Sequence, residues 1–312
     1  MAPSRESDKT HSSIEPGATA ARLPDVFSPL VQVDLAGLSH PGRVRTNNED
    51  HFIISRFGRF LETLSTNIPE EMLPARSEES FYGMVVADGV GGGAAGEVAS
   101  RTAIRTIVQL AATSPNWIFR PDEERLVQEL LDRLKERIGQ IHEALIQQAR
   151  TDPALRGFGT TMTVALSVGN VLFLAHIGDS RAYLFREGRL QQLTRDHTLA
   201  QDLAEKGITT GHGVPVERLR HVLTQALTDH TRPVDPEVQS LGLEDGDRLL
   251  LCTNGLSDMV GDEAIGAALG AEKPSQEVSR LLVDQALEAG GTDNVTVIVA
   301  SYAVSPDPQR RR

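Results

Sequence analysis

The 312-residue chain has one cysteine, Cys252, so it can form no intramolecular disulfide, no cysteine zinc site and no CxxC redox centre. Aromatic residues make up 4% of it, with one Trp and three Tyr, too few for the stacking platforms that hold nucleic-acid bases. No apolar run approaches the roughly 20 residues a membrane-spanning helix needs. The opening MAPSRESDKTHSSIEPGATA lacks the apolar segment of a secretory signal. Positive charge is also scarce: 31 Lys and Arg face 43 Asp and Glu, a formal balance of −12. That field repels nucleic acid and anionic membrane, so neither is expected as a partner, and a cytoplasmic protein is the expectation.

What is present describes a globular chain, 39% hydrophobic and 24% charged. Residues 1–30 are rich in Ser, Ala, Pro and charge without periodicity and are expected to form a flexible tail. SPDPQRRR from Ser305 (305–312) reads as a second tail, with one domain between them over 31–304. FYGMVVAD (Phe81 to Asp88) is a nearly continuous apolar run. TMTVALSVGNVLFLAHIGDSRAYLF holds three strands, with Gly169–Asn170 and Glu187–Gly188 at hairpin turns. RLLLCT and NVTVIVASYAV are two more. Helices are predicted over Asp122 to Arg150, where Leu126, Leu130, Leu134, Ile138, Ile141 and Leu145 recur at 3-to-4 spacing, and over 95–111, 262–269 and 275–289. Adjacent hairpins require antiparallel sheets, so the fold class is α+β, a layered sandwich rather than a doubly wound βαβ fold.

Acidic residues recur at the ends of these strands, each near a glycine or asparagine. They are Glu49–Asp50 in RTNNEDHF, Asp88–Gly89 in VVADGVGGG, Asp179 in HIGDSR, Asp258 in CTNGLSDMV and Asp293 in GGTDNVTV. Any one of them could be a turn former. Five in one chain point instead to a shared rim, where converging carboxylates would repel unless hard cations such as Mg²⁺ or Mn²⁺ bind between them. Gly91 to Gly96 also matches GxGxxG, but the acid that a dinucleotide site places about 20 residues on is replaced by ATSPNWIF, and Asp88 would repel a pyrophosphate. Arg45, four residues before Glu49, could grip a phosphate with its planar fork or form an ordinary surface ion pair.

Cysteine-based phosphate chemistry is excluded, because Asp258 stands six residues after Cys252, where an arginine would be needed. No GxSxG elbow and no HExxH pair occurs, and His51, His176 and His197 read as packing or hydrogen-bonding residues.

In order, VRTNNEDHF, VVADGVGGGAAGEVAS, GFGTTMTVAL, AHIGDSRAYLFREGRLQQLTRDHTL, GDRLLLCTNGLSDMV and GGTDNVTVIV resemble the PP2C (PPM) family of metal-dependent protein serine/threonine phosphatases in its bacterial stand-alone form. The resemblance spans residues 37 to about 304. It implies a four-layer αββα sandwich, two central antiparallel sheets flanked by helices, with two Mn²⁺ or Mg²⁺ ions at one end and a third, weaker site. By motif, Asp88 should bridge both ions, Gly89 should offer its carbonyl to one, and Asp293 should ligate the other. Glu49 and Asp50 should hold metal-bound waters, and Arg45 should bind the substrate phosphate. Asp179 and Asp258 match the third site, and residues 196–228 match a variable flap. A monomer acting on phosphorylated Ser/Thr proteins, with a cognate Ser/Thr kinase as a further partner, is what the resemblance implies.

Two positions depart from the pattern. Asn254 stands where relatives carry Asp, which removes a charge from the site. Val90 follows Asp88–Gly89 where eukaryotic relatives place a histidine. An active phosphatase is therefore weighed against a metal-weakened pseudophosphatase that only binds a phosphoprotein or kinase.

Overall fold

The computed structural model describes residues 31–69, 72–73, 76–91, 95–113, 124–208 and 216–305. The expected N-terminal tail, all but Ser305 of the C-terminal one, and Gly92, Gly93 and Ala94 of the glycine cluster lie outside them. The chain opens with β1 (Val31–His40), β2 (His51–Glu62), β3 (Arg76–Ala87) and the short β4 (Gly89–Val90). Two helices follow, α1 (Ala95–Thr113) and α2 (Glu124–Thr151). Then come β5 (Gly159–Thr160), β6 (Met162–Val168), β7 (Val171–Ile177), β8 (Arg181–Arg186) and β9 (Arg189–Gln192). After α3 (Leu199–Glu205) and α4 (Val216–Leu219), the chain forms β10 (Leu227–Thr228), β11 (Glu237–Gly242) and β12 (Arg248–Cys252). It closes with α5 (Asn254–Ser257), α6 (Asp262–Gly270), α7 (Ser275–Glu288) and β13 (Val295–Val304).

All strand pairs are antiparallel. One five-stranded sheet runs β1-β13-β12-β8-β9, the other β11-β7-β6-β3-β2, and β10-β5-β4 form a small third sheet. Two tight turns follow from backbone freedom. Gly169 adopts φ +56° at the first position of the β6–β7 turn, and Glu187 and Gly188 both take positive φ between β8 and β9, the geometry that matches strand twist in two-residue hairpins.

The period-2 alternation of the strands sorts their side chains into layers. On β3, Phe81 and Val85 face α1 and α2, where they meet Ala99, Ala103, Leu134, Ile138 and Ile141. Met84 and Val86 face the other way and meet Leu249, Leu251, Ile298 and Ala300 of the second sheet. The outer face of that sheet, with Leu250, Cys252, Val297 and Val299, is covered by Ile265 of α6 and Val278, Leu282 and Ala286 of α7. The result is the αββα order of layers that the resemblance implied. The periodic α2 positions whose side chains are described, Leu130, Leu134, Ile138, Ile141 and Leu145, are buried as the spacing predicts.

Leu251 lies in the seam between the sheets with no exposed surface. Leu251→Ala is expected to cost about 2–5 kcal/mol, read as a lowered midpoint in thermal unfolding. Truncating the exposed Val44 to Ala should change stability by no more than about 0.5 kcal/mol.

Candidate functional site

Strand register brings the predicted acids to one pole of the two sheets. His51 pairs with Ala87, so Asp50 and Asp88 stand side by side just past the paired ends of β2 and β3. Met162 pairs with Ile177, which places Asp179 beyond the same edge. Cys252 pairs with both Arg181 and Val297, and Val295 pairs with His40, so residues 253–258, 291–294 and 41–50 emerge there too. Asp258 differs from expectation: it caps the C-terminus of α5, one helical turn beyond β12, rather than ending a strand.

The main chain around the acids is held by neutral side chains. Asp88 donates its N–H to Thr161 Oγ1 at 3.1 Å. Its carbonyl accepts the Thr161 N–H at 2.9 Å and the Thr160 hydroxyl at 2.8 Å. Thr161 Oγ1 and Ser180 Oγ, 2.8 Å apart, link this clamp to the Asp179 turn. Asn294 ties down the loop between β1 and β2. Its Oδ1 accepts the Glu49 N–H at 2.8 Å, and its Nδ2 donates to the carbonyls of Pro41 at 2.9 Å and Asn47 at 2.8 Å. Gly89 and Gly96 pack so closely that a Cβ on either would collide with the other's backbone, and one on Gly96 would strike Glu49 Oε2. Two glycines are therefore required where α1 abuts the site.

Burial dominates the electrostatics. Asp50 is 4% exposed; Thr253 Oγ1 donates to its Oδ2 at 2.8 Å, while its buried Oδ1 takes no hydrogen bond. Desolvation pushes the Asp50 carboxyl up to about 7. Asp88 is held well above the usual carboxylate range, first by burial and then by the charges of Asp50, Asp179 and Asp293. Asp179 is raised to about 6, again chiefly by burial. Asn254 Nδ2 donates to its Oδ2 at 3.1 Å, and its buried Oδ1 has no donor. Burial also raises Glu49 and Asp258. Asp293 lies further out, accepting the Asn294 N–H at 2.8 Å on Oδ1 and Arg45 at 2.8 Å on Oδ2. Arg45 thus forms the ion pair that its position allowed, but with an acid of the cluster, and 58% of its side chain is exposed. His221 reaches across from 196–228 to within 3.7 Å of Asp258. Residues 209–215 of that stretch, including Gly211, Gly213 and Pro215, are outside the described residues.

Among the described residues, no three His, Cys, Asp or Glu side chains close on one point as a finished cation shell. What the pole offers is a set of oxygen donors, two of them buried and unbonded, which suits hard cations and not zinc. The histidines serve structure. His176 bonds Thr163 and the carbonyls of Gly178 and Arg195, His197 accepts the Gly178 N–H, and His51 bonds Ser100. Cys252 is fully buried, its thiol pushed up to about 12, so it supplies no nucleophile.

Thr160, Thr161, Thr253 and Asn294 escape motif reasoning; only the GTT run and the residues flanking the acids hinted at them. Asn294→Ala is expected to remove three hydrogen bonds and weaken the 41–50 loop by about 1–3 kcal/mol, seen as faster hydrogen exchange at the Glu49 amide with the sheet amides unchanged.

Comparison with known proteins accords with this geometry. A family profile described as Protein phosphatase 2C matches residues 73–288. The serine/threonine protein phosphatase PstP of Mycobacterium tuberculosis is 39% identical over 233 residues, 73% of this chain but 43% of PstP, so the match spans less than half of that relative. Protein phosphatase PhpP of Streptococcus pneumoniae is 30% identical over 272 residues, covering 86% of this chain and 97% of PhpP. The crystal structure of the PstP catalytic domain in complex with two manganese ions superposes with a TM-score of 0.67 at 36% identity, covering 88% of this chain and 99% of that one. Sequence profile, relatives and fold agree, and the chain belongs to the protein phosphatase 2C family.

Proposed function

We propose that the chain is a metal-dependent protein serine/threonine phosphatase that hydrolyses phosphoserine and phosphothreonine by direct attack of water, without a phosphoenzyme. One observation carries this reading. Asp50, Asp88 and Asp179 come from three separate strand ends to one pole, Asp50 and Asp179 buried and Asp88 partly so, and the buried Oδ1 atoms of Asp50 and Asp179 take no hydrogen bond. Such oxygens call for a cation.

The residues fit two Mn²⁺ or Mg²⁺ ions. Asp88, the Gly89 carbonyl, Asp293 and the Asn254 amide oxygen would hold them, with Glu49 and Asp50 acting through water. Asp179 and Asp258 are suited to a third ion. The two manganese ions in the PstP catalytic domain support this assignment. When bound, such ions bring the pKa of a coordinated water toward neutrality and offset charge at phosphorus.

The chain's own groups do the rest. Arg45 stands at the rim with most of its guanidinium free of Asp293 and can orient a phosphate dianion with its remaining N–H groups. The Thr160–Thr161 clamp keeps Asp88 and the Gly89 carbonyl in place while charge moves nearby. Val90 has no proton to donate, so the leaving alkoxide takes its proton from water.

Residues 31–304 form the catalytic unit in this proposal, with 196–228 as its flap. The pairing of Val31 with Val304 supports those limits. Substrate phosphoproteins, a cognate Ser/Thr kinase, a monomeric state and a cytoplasmic place complete the reading. Among the described residues no helix is long and apolar enough to cross a membrane.

The pseudophosphatase alternative rests on Asn254, a neutral group that donates to Asp179. A direct assay separates the two. Wild type should hydrolyse p-nitrophenyl phosphate in millimolar Mn²⁺ and lose the activity in EDTA, and Asp88→Asn should lower turnover by roughly a hundredfold or more. Free turnover by wild type removes the alternative, and none at all removes the proposal.

The raised carboxyls also predict a pH dependence. Asp50 at about 7 and Asp179 at about 6 keep their protons in the folded state after the unfolded chain has released them near 4. Their contribution to stability is therefore present at low pH and lost as pH rises through 6 to 7. Cations replace those protons, so the rise in melting temperature on adding Mn²⁺ should be larger at pH 7.5 than at pH 5, measured by differential scanning fluorimetry.

A further inference from the structure

A groove with a cavity volume of about 590 Å³ opens beside the acidic pole. Val90, the residue after Gly89, lines it, so the groove adjoins the strand that carries the Gly89 carbonyl of the proposed metal centre. Its floor is the small sheet, where Gly159 and Thr160 of β5 pair with β4 on one side and β10 on the other. The walls are the turn at Gly157–Phe158, the stretch Leu223–Ala226 and the loop from Thr228 to Val234.

These walls are tied to each other and to the body. Asp229 Oδ2 accepts the Gly157 N–H at 3.0 Å across the groove. Gln225 Oε1 accepts the Asp235 N–H at 3.2 Å. The buried His142 on α2 lies beneath the loop, close to its backbone at Thr228 and His230. The groove is thus built before any ligand arrives, which lowers the ordering cost of binding.

Its charge is unusual for a chain with a balance of −12. Asp229 is the one acid among the lining residues, and its side chain is only 14% exposed, spent on holding the walls. His230 stands 78% exposed beside it, and Arg232 is exposed with no ion pair among the described residues. The face offered to a ligand is therefore apolar surface at Val90 and Leu223 with an arginine on its rim.

We propose that this groove binds the polypeptide that flanks the phosphoresidue of the substrate, and that Arg232 selects an acidic side chain there. The inference rests on the phosphatase reading and specifies its substrate class. Val90 and Thr228 lie two strand spacings apart across the small sheet, about 10 Å, roughly the span of three extended residues, so the selected acid should lie within about three positions of the phosphoresidue. A rim charge of this kind sets preference more than raw affinity, and the preference should fade with salt.

The test compares wild type with Arg232→Glu on three substrates in Mn²⁺: p-nitrophenyl phosphate, which has no flanking chain, and two sets of phosphothreonine peptides that differ by Glu or Lys at each of the three positions on either side. Wild type should favour a Glu peptide at one or more positions by about fivefold or more in kcat/KM. Arg232→Glu should abolish or invert that preference while turnover of the nitrophenyl ester stays unchanged, which also reports that the variant is folded. Equal Glu-to-Lys ratios in the two proteins, with nitrophenyl turnover intact, overturn the groove assignment alone. Wild type that hydrolyses none of the substrates overturns the phosphatase reading and the groove with it.

Discussion

Mutual repulsion among buried carboxylates is the constraint on which the rest of this structure depends. Asp50, Asp88 and Asp179 sit at one pole in surroundings that favour their neutral forms, and the charges of Asp50, Asp179 and Asp293 all raise the cost of ionising Asp88. Like charges in a poorly solvated place stay close only if the scaffold cannot move them apart. Two five-stranded sheets, each covered on its outer face by helices, supply that rigidity. The acids hang on strand ends whose next residues are locked in ladders, so relaxing the repulsion would mean breaking sheet.

The loops at this pole use neutral groups where a surface loop would normally use ion pairs. Threonine hydroxyls clamp Asp88, an asparagine side chain holds the β1–β2 connection at three backbone points, and glycines let α1 approach without a side chain between. Basic partners would neutralise the acids and remove the reason for a cation to bind. Arg45 at the rim, where its fork remains exposed to solvent, and Arg181, paired with Asp196, are exceptions.

The fold was legible in the sequence where strands are covered on both faces and not at the margins. The six strands evident as apolar runs, β3, β6, β7, β8, β12 and β13, are the central strands of the two sheets. The four that carried no clear signal, β1, β2, β9 and β11, are the edges. Edge strands are half solvated, and segments such as VQVDLAGLSH and EVQSLG mix polar and apolar residues without the runs or turn chemistry that mark a strand. The acids were visible as residue types beside glycine and asparagine. Their clamps were not, because Asn294 works through residues some 245 to 253 positions away and Thr161 through Asp88, 73 away. Such contacts follow from register, which local pattern does not contain. Asp258 was misplaced because α5 inserts a helical turn between β12 and the acid, and four residues are too few to show a period.

Pairing of β1 with β13 fixes where the two ends of the described fold lie. His40 and Val295 meet at the acidic pole, while Val31 and Val304 meet at the opposite end of the same ladder, about ten residues or roughly 33 Å away. The first and last strand residues of the sandwich therefore lie next to each other, away from the acidic pole. Val31 and Val304 thus stand together on the side of the sandwich opposite the acids. The two ends of the described fold and its acidic pole are kept apart by the length of one strand.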